Sequence, residues 1–268
     1  MPAVTSERPP ATHDLVCLSI TIGKPQLQLR FGHASGSAGG KRNEDFYGVV
    51  TPREEPEAVS RGVAVAIADG VSGNGGGRVA SETTVMSLLR DFYGTPVRWN
   101  IPQSIDKVLC AINDWLLAEN VRRPELEGMV STLTMLLFKG NQYYMAHVGD
   151  TRVYRRRGDV FKQLTIDHTW PRSDMRHVLK RAVGLDTHLI ADYTDGELLP
   201  GDVFALVTDG VWEVLGDRVM HEVLQSRADA QVFASALVAQ ALESQARYMG
   251  RNDATAVVVA VEEIRSRD

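Results

Sequence analysis

Three apolar runs in this chain each end in an aspartate beside a glycine or another small residue, and that pattern restricts the fold more than any other feature. The runs are Val63 to Ala68 before Asp69-Gly70, Tyr143 to Gly149 before Asp150, and Val203 to Thr208 before Asp209-Gly210. Unbroken apolar stretches of this length read as buried strands, so each carboxylate arrives where a strand leaves the core. An ionised carboxylate at the edge of an apolar layer is costly unless a cation or hydrogen-bond donors meet it. One Asp-Gly after a strand is ordinary turn chemistry. Repetition at three strand ends points instead to a shared site for a hard cation. Glu44-Asp45, after a glycine-rich loop, adds a further acidic pair, and Asp253 joins less cleanly.

With 268 residues, 44% of them apolar and 24% charged, the chain is long enough for one large domain and has no linker to divide it. The expectation is a flexible leader over residues 1–13, a single domain over 14–264 and a short tail over 265–268. A net charge of −5 offers no general attraction to nucleic acid, and Arg155-Arg156-Arg157 reads as a solvated run beside a Gly158-Asp159 turn. Two cysteines, Cys17 and Cys110, without CxxC spacing indicate neither zinc nor a disulfide framework. No window is apolar enough to span a membrane and the first residues lack an export signal, so the expected setting is cytoplasmic.

Strand-like runs at Leu15 to Ile22 and Leu27 to Phe31 predict an edge hairpin around Gly23-Lys24-Pro25. Helical spacing over Val79 to Leu89 and over Ile101 to Val121, the latter with Ser104 as cap, predicts two helices against one sheet face. From Thr132 to Leu164, four strands read as an antiparallel meander. Residues 167–195 read as a flap beside the site, with a short helix near Met175 to Val183. Helices near Val219 to Gln225 and Gln231 to Met249 precede a last strand at Thr255 to Val261. Strands and helices fall in blocks, which predicts an α+β class with a central sandwich flanked by helices.

Several stretches, in order, carry a family resemblance: Arg42-Asn43-Glu44-Asp45, Ala68-Asp69-Gly70, Gly128 to Leu133, Ala146 to Tyr154, Leu164 to His168, Thr208-Asp209-Gly210 and Asn252 to Thr255. Together they resemble the metal-dependent protein serine/threonine phosphatases of the PPM, or type 2C, family, and the start of the domain is similar to bacterial members fused to kinases. The resemblance implies an αββα sandwich of two antiparallel sheets, a binuclear Mn²⁺ or Mg²⁺ centre with a bridging water as nucleophile, a phosphorylated protein as substrate and a serine/threonine kinase as partner. Two cations suit phosphoryl transfer because they activate water and neutralise phosphate oxygens. Carried over by position, Asp69 would bridge the ions, the Gly70 carbonyl and Asp45 would ligate one, Asp209 the other, and Glu44 would orient a water. Asp150 would support a third ion, or else hydrogen-bond to nearby backbone or to Arg152.

The chain also departs from the family pattern. Gly40 stands where an arginine commonly grips phosphate, leaving that role to Arg42 or Lys41, with Arg42 preferred. Val71 replaces a frequent general-acid histidine. His147 reads as a core residue and His168 as an anchor for the flap. The final Asn252-Asp253 is reversed relative to the usual order; a one-residue register change turns a side chain to the opposite face, and Asp253 is taken as the ligand. These departures leave an alternative: a catalytically weak module that binds a phosphoprotein or kinase through the same cleft.

Overall fold

The computed structural model describes residues 27–264 apart from 38–41, 54–55, 72–74, 127, 172–174, 176–177, 226–228 and 249–251. The leader, the Leu15 to Ile22 run, Lys41 and the tail therefore lie outside the described residues. In chain order the elements are β1 (Leu27–Ser37), β2 (Asp45–Val50), α1 (Pro56–Arg61), β3 (Val63–Val71), α2 (Gly77–Gly94), α3 (Ile101–Arg122), β4 (Val130–Ser131), β5 (Leu133–Lys139) and β6 (Gln142–Val148). They continue as β7 (Arg152–Arg157), β8 (Val160–Gln163), β9 (Asp192–Glu197), β10 (Val203–Val207), α4 (Asp209–Gln225), α5 (Ala230–Tyr248) and β11 (Asp253–Ile264).

The strands form two sheets, ordered β1-β11-β10-β7-β8 and β2-β3-β5-β6-β9, with β4 paired to β3. Every recorded pairing between named strands is antiparallel. Alternation along each strand sorts the core into layers. In β3, Ala64, Ala66 and Ala68 face α2 and α3 together with Leu88, Phe92, Leu109 and Leu116. Val65 and Ile67 face the other way, into a layer between the sheets with Phe138, Phe204, Leu206, Val257 and Val259. The outer face of the β1-containing sheet packs on α4 and α5, with Ala205 and Val207 of β10 meeting Leu237 and Ala241 of α5 in one cluster. The result is the four-layer αββα sandwich.

β1 pairs along its whole length with β11 at the opposite end of the chain; the expected hairpin with the Leu15 to Ile22 run lies outside the described residues. Three local expectations are corrected. The meander is split: β5 and β6 pair in one sheet, β7 and β8 in the other. The crossing is made at Gly149, whose φ of 108° and whose would-be Cβ, 2.6 Å from the Thr132 side chain, admit only glycine. The α3 cap is Asn100, whose side chain accepts from Gln103 N at 2.8 Å, while Ser104 is buried inside the helix against Arg61. In the 167–195 segment the described residues hold no helix, only bridges Thr169–Leu179 and Ser131–Val183, and its end from Asp192 is strand β9 at a sheet edge. Of the apolar residues there, Ala182 and Val183 are buried while Trp170, Val178, Leu185 and Ile190 are exposed.

Candidate metal centre

The alternation that builds the inter-sheet layer also aims the acids. Val65, Ile67 and Asp69 share one face of β3, and Asp45 shares a face of β2 with Tyr47 and Val49, which pack into the same layer. Asp45 and Asp69 are direct cross-strand partners. In β11, Val257 and Val259 point between the sheets, so Thr255 and Asp253 do too and Asn252 has the opposite parity. Phe204 and Leu206 of β10 put Thr208 on the inner face, with Asp209 opening α4 immediately after it. Neither Asp69-Gly70 nor Asp209-Gly210 is a tight turn: the first continues a strand and the second begins a helix.

Hydrogen bonds fix this end of the sandwich. Thr208 Oγ1 donates to Asp45 Oδ2 at 2.8 Å and accepts from Thr255 N at 3.0 Å, joining the two sheets through buried groups. Asp69 N donates to Thr132 Oγ1 at 2.8 Å, and Thr132 shares a 2.6 Å hydroxyl contact with Thr151. Asp253 Oδ2 accepts from Glu44 N at 2.7 Å, and Asn252 Nδ2 donates to Asp209 Oδ2 at 3.2 Å. Buried Gln245 locks that last corner, donating to Gly210 O at 2.9 Å and accepting from Asn252 N at 2.8 Å. The 43–45 segment is held from below by α2: Arg78 donates to Asp45 O at 2.7 Å while lying 4.6 Å over the Phe46 ring, and Ser81 Oγ donates to Glu44 O at 2.5 Å. α2 comes this close because Gly70 meets Gly77 backbone to backbone; a Cβ on Gly70 would stand 1.9 Å from Gly77 O.

The electrostatics are those of crowded acids. Burial, then the carboxylates of Asp45, Asp209, Asp150 and Asp253, push Asp69 well above the usual carboxylate range. Asp45 is pushed up to about 7 by burial against the opposing pull of its Thr255 and Thr208 hydrogen bonds. Burial and Asp209 push Asp150 up to about 7, and burial and Glu213 push Asp209 up to about 6. Asp45 Oδ1 and Glu44 Oε1 are buried and accept no hydrogen bond. Among the described residues no three His, Cys, Asp or Glu side chains are grouped tightly enough to hold an ion by themselves. Asp45, Asp253 and Asp209 are instead turned onto Thr208, Glu44 and Asn252. The unmet oxygens and the all-oxygen donor set nevertheless fit a hard divalent cation.

The other expected residues are placed as follows. Arg42 is exposed beside Asn43, whose side chain accepts from Asp45 N at 2.9 Å. Asp150 is 7% exposed at the crossing between the sheets. Arg152 does not pair with it; its guanidinium grips Asp167 at 2.6 and 2.9 Å and lies 3.4 Å over the Trp212 ring. His147 is buried, contacting Thr134 Oγ1 and Ile166 O, and burial with His168 beside it lowers its pKa to about 4. His168 ties Gly149 N to Asp192 Oδ2 and so anchors the 167–192 segment. Sequence reasoning missed Thr208, Thr132, Gln245 and Arg78. A signal existed for Thr208, which directly precedes an acid; nothing local marked Thr132, Gln245 or Arg78.

Comparison with known proteins matches these features. A family model described as protein phosphatase 2C matches residues 35–255. The serine/threonine protein phosphatase PstP of Mycobacterium tuberculosis is 29% identical over 194 residues, 66% of this chain, which span only 37% of that relative's length. The serine/threonine phosphatase stp of Listeria innocua is 26% identical over 81% of this chain and 89% of its own. A crystal structure of the M. tuberculosis PstP superposes with a TM-score of 0.73 at 26% identity, covering 88% of this chain and 99% of that one. A PstP catalytic domain solved in complex with two manganese ions gives 0.71 at 27% identity, covering 88% and 100%. The match over residues 35–255, most of the chain, on a sandwich that brings these acids to one end, makes this chain a member of the protein phosphatase 2C family.

Proposed function

We propose that this chain is a divalent-cation-dependent protein serine/threonine phosphatase that hydrolyses phosphoserine and phosphothreonine. The observation that carries the reading is the facing pair of buried Asp45 and half-buried Asp69, with Asp209 and Asp253 beside it and with Asp45 Oδ1 left without a donor. Like charges placed directly opposite on neighbouring strands are destabilising and call for a cation. Two Mn²⁺ or Mg²⁺ ions, as in the PstP domain solved with manganese, would neutralise phosphate oxygens and acidify a water. Asp69 would bridge them, Asp45 and the Gly70 carbonyl would hold one, and Asp209 would hold the other, with Asp253 completing the set.

The remaining residues position the substrate and the water. Glu44 Oε1, buried without a partner, accepts a hydrogen bond from the attacking water and orients it. Arg42, exposed at the mouth, grips phosphate oxygens. With Val71 in place of a histidine, the leaving serine or threonine oxygen takes its proton from water rather than from a side chain. The substrate is then a protein phosphorylated by a serine/threonine kinase, and the proposed setting is cytoplasmic. Among the described residues no helix is long and apolar enough to cross a membrane. The test is hydrolysis of a phosphothreonine peptide with Mn²⁺, with chelator, and by Asp69→Asn. Turnover that needs the metal and falls at least about a hundredfold in the variant is expected, the scale on which metal-centre groups act. A folded, Mn²⁺-loaded protein without turnover overturns the reading and leaves the binding module.

A further inference from the structure

The run Arg155-Arg156-Arg157 on β7 is only partly solvated, and its three guanidiniums are held differently. Arg157 donates to both carboxylate oxygens of Asp202 and to Glu197 O, each at 2.7 Å. Arg156 reaches Gly158 O at 3.5 Å. Arg155 is half-buried, its side chain makes no hydrogen bond or ion pair with any described residue, and its Nε is buried without an acceptor. We propose that Arg155 and Lys162, at one open edge of the sandwich, form a docking site for an acidic segment of the phosphoprotein substrate, away from the metal centre. The inference rests on the phosphatase reading and adds a feature of the substrate to it.

The strand register joins the two cations. Arg155 is the direct cross-strand partner of Lys162 on β8 and of Phe204 on β10, and Phe204 lies in the layer between the sheets. Both cations therefore stand on the inner face of their sheet, and like charges directly opposed across two strands are destabilising until a counter-charge arrives. The acids of this region are engaged elsewhere: Asp202 by Arg157, Asp167 by Arg152, and Asp192 by His168 and Arg181. Asp195 and Glu197 have the other parity on β9, shared with Tyr193 of the helix-covered layer. Among the described residues no carboxylate pairs with Arg155 or Lys162.

The edge can take an extended peptide. β8 is the last strand of its sheet, so one side of its backbone has no partner strand among the described residues. On its inner face Val160 is 62% exposed and Lys162 is exposed, and Thr194 on the inner face of β9, the edge strand of the other sheet, is exposed as well. A segment added to such an edge bonds through its main chain and sets alternate side chains on one face, where carboxylates would meet the two cations. A chain of net charge −5 does not draw polyanions in general, so the pair favours a local acidic stretch of a protein. The span also suits a substrate. Phe204, level with Arg155, precedes Thr208 by four residues, which places the site roughly 13 Å along the strands from the acid-bearing end, a distance covered by about four residues of extended peptide.

The experiment measures kcat/KM in Mn²⁺ for phosphothreonine peptides carrying glutamate or its uncharged isostere glutamine at positions about three to six residues to either side of the phosphothreonine, with p-nitrophenyl phosphate as a control that reaches only the metal centre. On one side glutamate should raise kcat/KM at least about threefold, mainly through KM, and the gain should shrink in high salt. Arg155→Gln and Lys162→Gln should each remove the gain and leave hydrolysis of p-nitrophenyl phosphate unchanged. Equal turnover of glutamate and glutamine peptides by a wild type that hydrolyses p-nitrophenyl phosphate overturns the docking site and leaves the phosphatase reading intact. A glutamate preference that both variants keep places the acidic contact elsewhere and also overturns the site. Equal losses on peptide and p-nitrophenyl phosphate in both variants mark a structural role and overturn it too. No hydrolysis of any substrate by the wild type overturns both readings.

Discussion

Asp45 and Asp69 face each other across neighbouring antiparallel strands, and burial first, then the carboxylates crowded around them, sets how the protein answers to pH. Without a cation, Asp45 and Asp150 are pushed to about 7 and Asp209 to about 6, while an unfolded chain titrates them near 4. The folded state therefore binds more protons than the unfolded state between those limits, and stability increases as pH falls through 7 toward 4. Chelator-treated protein should melt at least about 3 °C higher at pH 6 than at pH 8 in a thermal scan, a shift that Mn²⁺ added at pH 8 abolishes. Thr208 is one of the buried threonines that hydrogen-bond Asp45, and Thr208→Val removes its bond to Asp45 Oδ2 and leaves Thr255 N without its acceptor. Denaturant unfolding should show a loss of about 1–3 kcal/mol. At this scale the acids were legible because each interrupts an apolar run. Their neutral partners were not, because a threonine inside a strand looks the same whether it packs or bonds.

Elements bring these residues together through close backbone approach. β3 and α2 touch at Gly70 and Gly77, where a Cβ on Gly77 would lie 2.4 Å from Gly70 O and 2.7 Å from Glu44 Oε1. Gly77→Ala should cost at least about 1–3 kcal/mol by overpacking and should weaken Mn²⁺ affinity, read by calorimetry, because the helix start that supports Glu44 and Asp45 is pushed away. Helix and strand existence was readable from spacing for α2, α3, α5 and the strands from β5 to β8. Boundaries that depend on partners were not. Asn100 rather than Ser104 caps α3 because the polar residue outside the first turn, not the one inside it, can reach a free amide. The described residues of the Met175 to Val183 run hold no helix; in the 167–191 stretch described backbone groups bond instead to Gly149, Ser131 and across the Thr169–Leu179 bridge.

The whole molecule works as a clamp whose two sheets each contribute acids to one end. Asp45 and Asp69 come from one sheet, Asp253 from the other, and Asp209 from the helix that follows β10. The layer between them sets their spacing: Phe204 is fully buried and meets Phe138 and Tyr143 edge-on at 5.5 and 5.1 Å across the sandwich. Phe204→Ala should destabilise by about 3–5 kcal/mol and should lower Mn²⁺ affinity together with stability. A central sandwich was legible in the blocks of strands and helices and its αββα form was an implication of family resemblance; the strand pattern gave four consecutive strands and no sign that the chain changes sheets at Gly149. The most direct test of the shared metal centre is calorimetric titration of Mn²⁺ into metal-free protein at pH 8. Two ions per chain are predicted, with affinity falling at pH 6 as protons compete for the acids, and with Asp69→Asn losing the tight binding. Absence of tight Mn²⁺ binding to the folded wild type, or binding that Asp69→Asn leaves unchanged, would contradict it.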